Sequence, residues 1–157
     1  MIAIATESPI QDDVRALIAQ LNDTLLALTP REFCHHLTVE QMAGDDTTVF
    51  LARDNGQLVA CGALKRHGGG VGEVKRMYTL PPRQGQGIGG QILNAIEALA
   101  RKEGLTRLVL ETGNNFIPAM RVYARHGFDR IPGPVLDYPM SPYTAFYEKL
   151  LSIGVAV

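Results

Sequence analysis

Four glycines within six residues, Gly85, Gly87, Gly89 and Gly90, stand between a strand-like run ending at Thr79 and an apolar helical pattern beginning at Ile88. Val74, Met77, Tyr78 and Thr79 suit an extended chain, and Pro81 and Pro82 stop it. Glycines let the backbone bend sharply and let a ligand come close. The first amides of the helix that follows lack intrahelical partners and sit at the positive end of its dipole. The stretch reads as strand, phosphate loop, helix.

Glycine-rich loops serve several phosphate ligands. A Walker A loop needs a lysine after its last glycine, and none follows here. The dinucleotide pattern Gly-x-Gly-x-x-Gly is literally present as Gly85, Gly87 and Gly90, and Glu111 lies near the offset at which an acidic residue would meet a ribose. A dinucleotide-binding strand is a buried, nearly continuous apolar run, however, and here Glu73, Lys75 and Arg76 interrupt it. Residues 80–84 also separate the strand from the glycines, so the surroundings are wrong for a dinucleotide.

The 157 residues, 46% of them hydrophobic, suit a single domain, 1–157, with a real core. Fifteen basic residues against sixteen acidic ones give a net charge of -1, so no global field draws the chain to nucleic acid or to an anionic membrane. Any anion site must be local. Two cysteines, Cys34 and Cys61, with no Cys-x-x-Cys pair, no signal peptide and no long apolar run, point to a reduced, cytoplasmic setting. Both read as small buried hydrophobes.

Residues 1–5 suit an edge strand. Val14, Leu17, Ile18, Leu21, Leu25 and Leu28 recur at spacings of three and four and describe an amphipathic helix stopped by Pro30. Thr38 caps a short helix over 38–42. Residues 47–53 and 58–65 form an antiparallel hairpin around Asn55-Gly56, and a turn through Gly68, Gly69 and Gly70 leads into the strand 72–79. Three meandering strands thus precede the glycine loop, unlike the parallel crossovers of a dinucleotide fold. Beyond the loop come a helix with Ile88, Ile92, Ile96, Leu99 and Ala100 on one face, a strand over 107–112, a helix over 117–126 closed by Gly127, an irregular proline-rich segment 131–142 and a last strand, 143–151.

The spacing Gln84-x-x-Gly87-x-Gly89 is similar to the acetyl-CoA pyrophosphate loop of the GNAT superfamily of N-acetyltransferases, and Arg121-Val-Tyr-Ala-Arg-His-Gly-Phe128 looks like its second motif. The likeness covers residues 47–128 well, and the chain resembles small bacterial members. It implies an α/β GNAT fold, with a mixed sheet of six to seven strands and helices on both faces. It also implies acetyl-CoA as the donor, held by Gln84, Gly85, Gln86, Gly87, Ile88, Gly89 and Gly90 and by backbone groups of Met77, Tyr78 and Thr79, where the strand splays from its neighbour. At the position of the family's cofactor-contacting asparagine, seven residues before the tyrosine, stands Phe116.

Acetyl transfer to an amine needs a base for the amine proton and an acid for the departing thiolate. The resemblance puts Tyr123 in the acid's place and Glu73 in the base's. From spacing alone Tyr123 serves equally as a packed aromatic, and Glu73 as a solvated strand-end carboxylate. Lys75 and Arg76 point to opposite faces of an ideal strand, so one of them meets an acidic acceptor while the other faces solvent or a phosphate; parity does not choose between them, and Arg76 is taken as the substrate contact. His35 borders the acceptor site by the resemblance. The adjacent pair His35-His36 has no cysteine or acidic partner at metal spacing, so no metal is expected. The expected function is N-acetylation of a small-molecule primary amine. Acetylation of a protein or peptide, and a non-catalytic acyl-CoA-binding regulator, remain the alternatives. The resemblance also allows a homodimer through C-terminal strands.

Overall fold

The computed structural model describes residues 1–34 and 36–151, without the side chain of Phe33. Its elements, in chain order, are β1 (Ile2–Thr6), α1 (Asp12–Leu28), α2 (Val39–Met42), β2 (Thr47–Asp54), β3 (Gln57–Gly68), β4 (Val71–Thr79), α3 (Ile88–Lys102), β5 (Arg107–Gly113), α4 (Ile117–Arg125), β6 (Asp129–Ile131) and β7 (Thr144–Leu150). The seven strands form one mixed sheet in the order β1-β2-β3-β4-β5-β7-β6. All neighbours are antiparallel except β4 and β5, which α3 connects in parallel.

Local chemistry explains the boundaries. Asp12 and Asp13 sit in the first turn of α1, where the dipole favours them, and Thr29, the residue before Pro30, is extended at φ -138°. Thr38 and Gln41 form a reciprocal cap on α2: the Gln41 amide donates to Thr38 Oγ1 at 3.1 Å and the Thr38 amide to Gln41 Oε1 at 2.9 Å. Asn55 and Gly56 both take positive φ, 50° and 86°, as a two-residue hairpin requires. The sequence pattern did not anticipate β6. It is three residues long at the sheet's edge, and its exposed Asp129 and Arg130 carry no alternation.

Strand alternation sorts the core into two layers. Phe50, Ala52, Leu64, Val74, Leu108, Leu110 and Tyr147 pack with Ile88, Ile92 and Ile96 of α3 and Tyr123 of α4. Their neighbours Val49, Leu51, Cys61 and Ala63 pack on the other face, with Val14, Leu17, Ile18 and Leu21 of α1 and Val39 and Met42 of α2. Farther along that second face, Val109 and Phe146 are covered by Val135 and Tyr138 from the loop before β7.

The ladder between β4 and β5 is short. It joins only residues 71–73 to 107–109, after which β4 stays with β3 as far as Thr79 while β5 continues along β7 to Gly113. The middle of the sheet therefore opens toward the C-terminal ends of these two strands. Ile96 is fully buried where α3 braces the sheet beside this opening. Ile96→Ala is expected to lower stability by about 2–5 kcal/mol in urea titration, with an unchanged denaturant slope.

Candidate active site

A cavity of about 700 Å³ fills the opening. The start of α3 and its preceding loop form one end, residues 73–79 and 111–113 form the flanks, and Leu21, Thr24, Leu25, Thr29, Cys34 and His36 form the other end. His35 lies outside the described residues.

At the loop end, Gly85 and Gly87 have φ of 80°, and a Cβ on either would meet nothing within 4 Å. Gly87 is the N-cap of α3 and no side chain caps that helix, so the amides of its first turn face the cavity mouth without a protein acceptor. Gly89 is nearly as open, its closest neighbour for a Cβ being Thr79 Oγ1 at 3.9 Å. The loop thus leaves open space over its glycines beside unsatisfied amide donors and a positive dipole end, and it fits a pyrophosphate. Gln84 ties the loop to β4 by donating to the Thr79 carbonyl at 3.0 Å. Arg83 braces it by donating to Asp54 at 2.9 Å and to Gln86 at 3.0 Å, which leaves the Gln86 side chain outside the cavity wall. Gly90 has a different reason to be glycine: its Cβ would stand 2.6 Å from the His126 ring, so it lets α3 and α4 close on one another.

β4 is not the ideal strand that the sequence reading assumed. Arg76 adopts φ 57°, a left-handed conformation costly for arginine, and the register against β3 shifts there. Val74 and Met77 pack toward α3, whereas Lys75, Arg76 and Tyr78 meet groups on the α1 side. Lys75 and Arg76 thus do not point to opposite faces, because the bulge turns both into the cavity. The buried Cys61 thiol donates to the Arg76 carbonyl at 3.2 Å, satisfying the bulged backbone, and burial pushes that thiol up to about 12. Arg76 itself is only 8% exposed and donates to Asn22 of α1.

Glu73 is not the solvated strand-end carboxylate that one reading allowed. It is 2% exposed and accepts from His67 Nε2 at 2.8 Å, from Lys75 at 3.2 Å and from the Tyr138 hydroxyl at 2.5 Å, while Lys75 also donates to Tyr138. Glu111, two residues beyond Val109 and so on the same face, also lines the cavity. Burial pushes its carboxyl up to about 7, with Lys75 pulling it down and Glu73 pushing it up. A carboxyl there changes protonation near neutrality, as a proton acceptor in a cleft must.

Tyr123 lies on α4 against the same cavity, packed edge-on to Phe128 and tilted against Tyr147, each ring centroid 6.0 Å away. It is the packed aromatic that one reading allowed, and it also lines the cavity, as the other requires. Burial raises its hydroxyl well above the ordinary tyrosine value, so it keeps its proton. Sequence reasoning missed His67, Tyr138 and Asn22, which lie on separate elements with no motif to join them, and it gave Glu111 no role in acetyl transfer. A carboxylate one alternation beyond a buried strand residue was the available signal for Glu111.

The model of the Acetyltransferase (GNAT) family matches residues 15–128. Among similar sequences, an IAA acetyltransferase of Azospirillum brasilense is 41% identical over 96% of this chain and 98% of its own length. The N-acetyltransferase YsnE of Bacillus subtilis is 34% identical over 87% and 93%. Among solved structures, an acyl-CoA N-acyltransferase from Klebsiella pneumoniae superposes with a TM-score of 0.81 at 31% identity, covering 97% of this chain and 99% of that one. A PaiA N-acetyltransferase from Thermoplasma acidophilum, solved with coenzyme A, shares the fold at TM-score 0.74 and 16% identity, covering 96% and 99%.

The raised Glu111 carboxyl sets a sign for stability. A carboxyl whose folded value lies above its unfolded one favours folding only while protonated, so its contribution is whole below about 4.5 and lost as pH rises through about 7. Glu111→Gln, neutral throughout, is expected to match the parent chain in melting temperature near pH 4 and exceed it at pH 8, by roughly 2–4 °C for each ~1 kcal/mol recovered.

Proposed function

The chain belongs to the GNAT acetyltransferase family and is an acetyl-CoA-dependent N-acetyltransferase, and we propose that it acts as a single domain, in the cytoplasm, on the primary amine of a small molecule. The observation that carries this reading is one continuous cavity running from the uncapped start of α3 to charged side chains on the α1 face. Gly85, Gly87, Ile88 and Gly89 would hold the pyrophosphate, Gly90 would keep their helix in place, and the backbone of residues 77–79, unpaired to β5, would hold the pantetheine arm. Bound there, acetyl-CoA supplies a thioester already activated toward amines.

Tyr123, kept protonated by burial, donates a proton toward the departing sulfur. Glu111 takes the proton the amine must lose. Glu73, the base implied by resemblance, has three donors on its two oxygens and in this reading fixes Lys75 and Tyr138 instead. Arg76 lies where the acceptor's remaining groups would rest. Lining of the acceptor end by Leu21, Thr24 and Leu25 of α1 and by Tyr138 supports a small acceptor over a peptide. The name of the Azospirillum relative, IAA acetyltransferase, likewise points to a small molecule.

A thiol-release screen of amine and peptide acceptors, run beside calorimetry with acetyl-CoA, tests the proposal. Acetyl-CoA binding without acceptor-dependent release from any amine would turn the reading toward a binding regulator. Tyr123→Phe is expected to cut kcat by about ten- to a thousandfold with acetyl-CoA affinity held within about threefold, and an unchanged kcat would remove it from the chemistry. Glu111→Gln is expected to flatten the acid limb of kcat/KM below pH 7, which Glu73→Gln should leave in place; the reverse result would return the base to Glu73.

A further inference from the structure

Resting on this reading of an amine acceptor, we propose that the acceptor also carries a carboxylate and that Arg76 is its binding residue, so that the substrates are small amino acids rather than simple amines. Arg76 is among the most buried charged residues of the chain at 8% exposure. The one hydrogen-bond partner of its guanidinium among the described residues is the neutral amide oxygen of Asn22, and its Nε, also buried, has none. No carboxylate of the described residues lies within ion-pair distance of it.

The other arginines make this unusual. Arg53 pairs with Glu7 and Asp13, Arg66 with Glu103, Arg83 with Asp54 and Arg107 with Glu148, all at partly exposed positions where pairing matters least. The partly buried cation beside Arg76 is also matched, Lys75 by Glu73. Arg31, Arg121, Arg125 and Arg130 make no ion pair among the described residues, but they are exposed and water solvates them; a buried guanidinium without an anion has a vacancy for negative charge, because an unpaired buried cation is costly. Burial correspondingly pushes the Arg76 guanidinium below its ordinary value.

Geometry supplies the rest. The left-handed backbone at Arg76 turns its side chain from the α3 face into the cavity, and Asn22 anchors one amino group there. A guanidinium fixed at one corner presents its other donors as a planar fork, which matches a carboxylate. Apolar Leu21 and Leu25 line the same end and lower the local dielectric. Glu111 supplies the opposite charge on β5, so the cavity offers a cation to the acid and a carboxylate to the amine of one small molecule.

The test uses acid and amide pairs: glycine with glycinamide, β-alanine with β-alaninamide, phenylalanine with phenylalaninamide. Thiol release and the melting temperature of the acetyl-CoA-loaded protein are both read. The parent chain should favour the acid of at least one pair by about tenfold or more in kcat/KM, the size of a charge-assisted hydrogen bond, and should melt higher with that acid than with its amide. Arg76→Gln should bring the ratio to about one and abolish the difference in melting, while Arg76→Lys keeps part of both. Equal ratios in the parent and Arg76→Gln chains, or no acid that stabilises the parent over its amide, overturns the inference even where simple amines are acetylated. Failure of acetyl-CoA to bind a folded chain would instead strike at the enzymatic reading. Arg76 would then be judged by the acid-dependent melting shift of the protein alone.

Discussion

The parting of β4 from β5 after Glu73 is the constraint on which the remaining structure depends. A sheet normally satisfies the amides and carbonyls of its central strands by pairing them with each other. Here the two middle strands stop doing so halfway, each leaning on its outer neighbour, and the backbone of residues 74–79 is left with one edge open. Such an edge inside a protein calls for a ligand that can hydrogen-bond like a strand. α3 starts at the same opening with an uncapped first turn, and α1 closes the opposite face. The opening thus joins the uncapped start of α3 to the cavity lined by α1.

That opening also gathers the buried charge. Glu73, Lys75, Arg76 and Glu111 all lie along its walls, in a chain whose other ion pairs are mostly partly exposed. Ionised groups are not buried to add stability, since desolvation offsets most of what pairing returns. Their presence in the middle of a sheet therefore calls for a reason other than stability. The hydrogen bonds among Glu73, His67, Lys75 and Tyr138 fix one arrangement of the wall, and a wall of fixed dipoles needs little reorganisation when charge moves beside it.

Much of this was legible in the sequence, and the limits of legibility have physical causes. The amphipathic spacing of α1 and α3, the Asn55-Gly56 hairpin and the cap at Thr38 are local signals, and each element formed where its residues dictate. The glycine loop announced its helix. The bulge at Arg76 was not readable, because it depends on packing between β3, β4 and α1 rather than on any preference of arginine, which disfavours it. With the bulge unseen, alternation put Lys75 and Arg76 on opposite faces. The burial of Glu73 was hidden for a similar reason: its partners lie on the hairpin before β4 and on a loop some sixty residues later, and proximity of that kind leaves no trace in spacing.

The literal dinucleotide pattern shows why a motif needs its surroundings. In a dinucleotide fold the third glycine lets a helix approach its own strand. Here Gly90 lets α3 approach α4, with the His126 ring filling the place of the missing side chain. The first two glycines, Gly85 and Gly87, take a left-handed turn here that glycine adopts without strain. Three glycines at one spacing thus satisfy two different packing demands. The polar residues of the preceding strand are what tell them apart. Glu73, Lys75 and Arg76 would have no place in the buried central strand of a dinucleotide fold, whereas here they line the cavity where the strand splays from its neighbour.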